Sequence, residues 1–175
     1  IYGPEVANLG DRLGKVPWVP ERLVSTAWDM GYGDATSIWF FQHVAGELRV
    51  IDYHEDTGKT LLDYIGILRG KPYVYDTALM PHDAGDDRFK MASGKTLVEI
   101  MQNNGLRAEV VAKLGLEQGI NQARMRLKSA YFDEVKCSRG LDCLKNYRWG
   151  YSKTAGGASR VPVHDWASHG ADAWR

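Results

Sequence analysis

Asp29, Asp83 and Asp172 stand where carboxylates can gather around a divalent cation. Asp29 closes the hydrophobic run that ends Ala27-Trp28 and leads into Met30-Gly31-Tyr32-Gly33-Asp34-Ala35-Thr36. Asp83 closes another, behind Met80-Pro81-His82, and both are points where a buried strand hands the chain to solvent. Asp172 lies in Ser168-His169-Gly170-Ala171-Asp172-Ala173-Trp174-Arg175, with Asp165 seven residues earlier and so on roughly the same face of a helix. Hard cations such as Mg²⁺ take oxygen ligands and accept a few carboxylates together with phosphate oxygens of a substrate. Two such ions ~4 Å apart activate an attacking water and stabilise the leaving oxygen of a phosphodiester. Each motif also has an ordinary reading: a self-capping turn around Gly31, a loop acid at Asp83, an exposed helix residue at Asp172. What distinguishes them is their order, a strand end, a second strand end after one crossover helix, and a late helix. Gly31 and Gly33 are expected to let a ligand approach the backbone closely.

The elements that must position these residues follow from periodicity. Residues 23–28, 37–44 and 47–53 read as strands, the last two joined by Ala45-Gly46 as a hairpin. Leu61, Leu62, Ile65 and Leu68 recur at helical spacing and predict a helix over 60–68 that stops at Gly70. A strand over 73–80, a helix over 95–103, a short strand over 107–112, helices over 117–132 and 141–147, a last strand over 161–164 and a helix from Trp166 complete the chain. The order βββαβαβααβα predicts a ribonuclease H-like α/β domain, a mixed sheet flanked by helices on both faces with its chemistry at strand ends. Residues 1–20, with Pro4, Pro17 and Pro20, read as a linker before a domain over 21–175. An Ile at position 1 and a helical pattern still running at Arg175 lead us to expect a piece of a longer chain.

At 175 residues and 44% hydrophobic content the chain can bury a full core. Lys plus Arg and Asp plus Glu are 22 each, which excludes a globally basic nucleic-acid binder, but the charge is divided. From Glu21 to Asn104 there are 13 acidic and 8 basic residues, and from Leu106 to Arg160 there are 5 and 11. An acidic half beside a basic one suits a metal site next to a polyanion track. Arg124 with Lys128, Lys145 with Arg148, and Lys153 and Arg160 in or beside the Gly-rich 150–159 stretch are candidates for DNA phosphates, against the usual reading of such charges as a solvated face. No run approaches the ~20 apolar residues of a membrane span. Cys137 and Cys143 form no Cys-x-x-Cys pair, so a reduced intracellular protein with buried cysteines is the simpler expectation. His82, His164 and His169 with Asp83 make a weak zinc set at unfamiliar spacings. Gly58-Lys59-Thr60 and Gly94-Lys95-Thr96 look like the end of a phosphate loop, but Tyr53 and Phe89 stand where its first glycine belongs, so ATP hydrolysis is not expected.

From about residue 21 to its end the chain resembles the C-terminal nuclease domain of the large terminase subunit of tailed double-stranded DNA bacteriophages. Carrying the resemblance are Trp28-Asp29-Met30-Gly31 with Asp34 and Thr36, Leu79-Met80-Pro81-His82-Asp83-Ala84, Gly119-Ile120-Asn121 to Arg124, Cys143-Leu144-Lys145-Asn146-Tyr147-Arg148, and Trp166 through Arg175. It implies a ribonuclease H-like endonuclease that cuts concatemeric viral double-stranded DNA during packaging in the host cytoplasm, with two Mg²⁺ or Mn²⁺ ions. By the same resemblance Asp29 bridges both metals, Asp83 holds one and Asp172 the other, while Asp34 and His169 orient water or ligands. Asp165 either assists or replaces Asp172. Implied partners are an upstream ATPase domain, the small terminase subunit and the portal. Another ribonuclease H-like nuclease, a junction resolvase or a transposase core, and a non-catalytic DNA-binding or motor-docking module are the alternatives.

Overall fold

Alternation along the central strands decides the layers. In β3 (Thr36–Val44) Ile38 and Phe40 turn to one face of the sheet while Trp39 and Phe41 turn to the other. The computed structural model describes residues 1–31, 33–86, 94–154 and 157–175, with the backbone alone at 151–154 and 157–160. β4 (Glu47–Asp56) returns antiparallel through Ala45 and Gly46, whose φ values of 51° and 85° are those of a two-residue hairpin turn. β2 (Val24–Asp29) pairs antiparallel on the other side of β3. β5 (Tyr75–Met80) then runs parallel to β2, and β6 (Arg107–Val110) parallel to β5. At the opposite edge β7 (Ala130–Asp133) is parallel to β4, and β1 (Leu13–Gly14) to β7. The order is β1-β7-β4-β3-β2-β5-β6, with β3 running against its neighbours. The carboxyl ends of β2, β5 and β6 therefore meet along one edge, where open parallel sheets place their chemistry.

Helices cover both faces, as expected. On one, α1 (Gly3–Ala7), α4 (Leu116–Leu127), α5 (Ser138–Asn146) and α6 (Trp166–Trp174) bury Ile120, Leu127, Leu144 and Ala171 against Trp39, Val50 and Phe132. On the other, α2 (Leu61–Arg69) and α3 (Leu97–Asn103) bury Leu61, Ile65, Leu97 and Met101 against Trp28, Phe40 and Ile51. Both Gly-Lys-Thr triplets turn out to be helix starts. Thr60 accepts from the Asp63 amide while the Asp63 carboxylate accepts from the Thr60 amide, and Thr96 and Glu99 repeat the exchange.

Three stretches differ from the sequence reading, one being the last strand expected over 161–164, which lies outside the seven-stranded sheet. Residues 1–20, read as a linker, carry α1, a 3₁₀ turn (Gly10–Arg12) and β1, and bury Tyr2 and Leu9 in the core. Arg12 fastens them by donating to the carbonyls of Leu127 and Ala130, contacts with no local sequence signal. The helix expected over 117–132 ends at Leu127, and its last residues become β7. Ile120, Ala123, Leu127 and Ala130 keep helical spacing across the break, which hides the strand from a periodicity argument. The Gly-rich stretch forms an antiparallel hairpin of β8 (Trp149–Thr154) and β9 (Gly157–Pro162).

Candidate active site

Asp29 ends β2 on the same pleat face as Ala27, beneath α6. Its side chain is 29% exposed, and His169 Nδ1 on α6 stands 3.7 Å from its Oδ2. Burial, reinforced by the negative charge of Asp172 and more weakly of Asp83, pushes the Asp29 carboxyl up to about 7, although Arg175 and His164 pull the other way. The turn that follows is closed by the chain itself. A Cβ on Gly31 would come within 2.6 Å of the Ala35 carbonyl oxygen, and the Gly31 amide donates to Thr36 Oγ1 at 3.2 Å. The space at Gly31 that was expected to admit a ligand is thus filled by the turn.

Asp83 follows β5 in a tight turn in which the Ala84 amide donates to Pro81 O at 2.9 Å and the Asp86 amide to Asp83 O at 3.0 Å. Ala84, 2% exposed, pins that turn to the core. Asp172 projects from α6 and is held twice through Oδ1: the Tyr147 hydroxyl donates to it at 3.0 Å and Arg175 Nη2 pairs with it at 3.0 Å. Burial raises its carboxyl too, against the pull of Arg175 and Tyr147. All three aspartates line one open cleft of about 700 Å³, together with His82, Lys113 and Arg175. The segment Val111–Gly115, which leaves β6 and leads into α4, also lines the cleft.

The donors are hard oxygens; burial raises both Asp29 and Asp172, Asp29 additionally feels the negative charge of Asp172, and a divalent cation relieves both effects. That chemistry fits Mg²⁺ or Mn²⁺. Among the described residues no three His, Cys, Asp or Glu groups are placed to hold one ion as they stand, and Asp172 is engaged by Arg175 and Tyr147. Nor is the zinc set assembled: His82 and Asp83 line the cleft, whereas His164 faces Asp34 at 3.4 Å and Ser168 at 3.1 Å.

The remaining candidates separate by geometry. Asp165 is the N-cap of α6 rather than a residue on its face: its Oδ1 accepts from the Ala167 amide at 2.9 Å and its Oδ2 pairs with Arg148 at 2.6 Å. Asp34 is exposed and reaches His164. Arg124 donates to the Ile1 carbonyl and pairs with Glu5, so it stitches α1 to α4. Lys128 and Lys145 are exposed at the ends of α4 and α5, outside the cleft lining. The side chains of Lys153 and Arg160 lie outside the described residues. Sequence reasoning missed Lys113, Tyr147 and Arg175. The signal for Lys113 was its place just past the predicted strand over 107–112, at the reactive edge of a parallel sheet.

No protein-family model and no curated protein sequence matches the chain. Solved structures do. The large terminase from a thermophilic bacteriophage superposes with a TM-score of 0.73 at 15% identity over 96% of this chain, which spans 42% of that one. The large terminase nuclease from thermophilic phage G20c, with bound magnesium, gives 0.62 at 17% identity, covering 97% of this chain and 95% of that. The P22 large terminase nuclease domain gives 0.58 at 12% identity over 91% and 81%. The likeness establishes that this chain has the ribonuclease H-like fold of those nucleases.

Proposed function

We propose that the chain is a metal-dependent endonuclease acting on double-stranded DNA, the cutting domain of a viral genome-packaging motor. What supports this is the convergence of Asp29, Asp83 and Asp172, from a strand end, a turn and a late helix, on one cleft at the carboxyl edge of the sheet. The fold is shared with a nuclease whose solved structure carries magnesium. In this reading Asp29, Asp83 and Asp172 would together hold a pair of Mg²⁺ or Mn²⁺ ions. The chemistry such ions supply when bound is Lewis acidity, activating water on one side of a phosphodiester and stabilising the leaving oxygen on the other.

The protein's own part is placement and charge. His169 steadies the Asp29 carboxylate from α6, and Tyr147 fixes the rotamer of Asp172. Lys113 supplies positive charge to a phosphate in the cleft, and contact of that kind positions DNA without reading its sequence. Concatemeric viral DNA in the host cell is the proposed substrate, and an ATPase domain, a small terminase subunit and a portal are the proposed partners. The first of the three large terminases is a longer chain of which this one matches 42%, in keeping with a nuclease that works beside another domain. The test is cleavage of supercoiled plasmid in Mn²⁺: Asp29→Ala or Asp83→Ala abolishes nicking and linearisation while the circular dichroism spectrum is kept. Undiminished cutting by either variant refutes the assignment.

A further inference from the structure

Arg175 is built into the cleft as a fixed positive charge. Its Nη2 lies 3.0 Å from Asp172 Oδ1, and its side chain is 29% exposed. The stem rests on α4 at Gly119, where a Cβ would come within 3.1 Å of Arg175 Cγ and 3.3 Å of Cδ. A larger residue at 119 would press on that stem, so the missing side chain leaves the guanidinium room to reach the acid. Asp172 Oδ1 also accepts from the Tyr147 hydroxyl, so the oxygen already carries two donors. A cation arriving at that oxygen competes with both of them. Tyr147 is held in the core, 2% exposed and stacked on Tyr2 at 5.7 Å between ring centroids, whereas Arg175 reaches the acid along a flexible stem. Arg175 is therefore the donor that yields.

We propose that Arg175 is a place-holding cation that competes with the divalent ion for Asp172 and so sets the metal concentration at which the cleft loads. The idea rests on the proposed metal site. As a positioning residue Arg175 keeps the Asp172 carboxylate oriented and compensated, and it gives the acid up when a doubly charged ion offers more. Arg175 also turns toward the cleft just past the helix that carries Asp172, so once released it is beside any phosphate held there.

Mn²⁺ binding to the whole chain is measured by calorimetry without DNA, for the parent, Arg175→Gln and Arg175→Lys. Gln keeps the Cγ and Cδ atoms that pack over Gly119 and removes the charge; Lys keeps the charge but loses the planar fork. The expected result is Mn²⁺ affinity roughly two- to fivefold tighter in Arg175→Gln, the scale of one partly exposed charge pair, with Arg175→Lys close to the parent. Equal or weaker binding by a folded Arg175→Gln overturns the proposal. Asp172→Asn and Asp29→Asn are run alongside. If both bind Mn²⁺ as the parent does, the site itself has been misassigned and the role of Arg175 falls with it. If both lose binding while Arg175→Gln is unchanged, the site stands and only the competition is wrong. Should Arg175→Gln not fold, Gly119→Ala crowds the stem, and the same gain in affinity is expected from it.

Discussion

Asp29 shows how a single carboxyl reports its surroundings. An ordinary aspartate titrates near 4 in an unfolded chain, whereas burial and the charge of Asp172 hold this one up to about 7 in the folded protein. Between those values the folded state binds more protons than the unfolded, so stability is greatest below about pH 4 and falls as pH rises toward 7. Asp29→Asn removes the ionising group. In the absence of divalent metal it should be more stable than the parent at pH 8, by up to about 4 kcal/mol, and nearly equal to it at pH 4. Thermal unfolding across that range checks this, and a gap that does not change with pH contradicts the account. Added Mg²⁺ should raise the melting temperature of the parent at pH 8 and leave Asp29→Asn little changed, because a ligand of the folded state alone stabilises it.

At the scale of the element, α6 brings His169 and Asp172 to the sheet edge, and two features fix it there. Asp165 caps its first turn, and Gly170 lets it lie against β4 and α5. A Cβ at Gly170 would stand 2.7 Å from the Tyr53 hydroxyl and 2.8 Å from Cys143 Cβ, while the Gly170 carbonyl accepts from Trp39 Nε1 at 2.8 Å. Gly170→Ala should cost about 1–3 kcal/mol by overpacking, read from urea denaturation, and a neutral result would mean that the contact is looser than it looks. Asp165 gives a sharper test of the site. A cap can be replaced by Asn at little cost and by Ala at about 1 kcal/mol. Asp165→Asn should therefore keep both stability and Mn²⁺-dependent cleavage, whereas Asp172→Asn loses cleavage. Loss of activity in Asp165→Asn at unchanged stability would place Asp165 among the ligands instead.

The whole molecule depends on its first residues. Tyr2 is fully buried, stacks on Tyr147, and belongs to the same core cluster as Trp39 and Phe132. Because Tyr147 in turn donates to Asp172, the beginning of the chain supports the site across the fold. Tyr2→Ala should cost about 3 kcal/mol of stability in a denaturant titration, as for other large aromatics removed from a core. An effect within a few tenths of a kcal/mol would show that the N-terminal segment is dispensable.

Much of this was legible along the chain. The strand-end positions of Asp29 and Asp83, the helical position of Asp172, the Ala45-Gly46 hairpin and the helices α2 and α3 follow from local periodicity and from turn and cap chemistry, which act over a few residues. The strand β7 and the N-terminal segment were not legible, because their partners lie in β4 and α4, far away in sequence, and one of them continues a helical spacing by coincidence. Nor could local pattern tell Asp165 from Asp172, which sit seven residues apart and differ in whether the backbone there has yet become helical. Residue order carried the candidate acids; packing across the sheet decided that Asp172 shares a cleft with Asp29, that Asp165 turns to Arg148, and that Arg175 joins them there. Those choices rest on long-range burial and charge, which exist only once the chain has closed on itself.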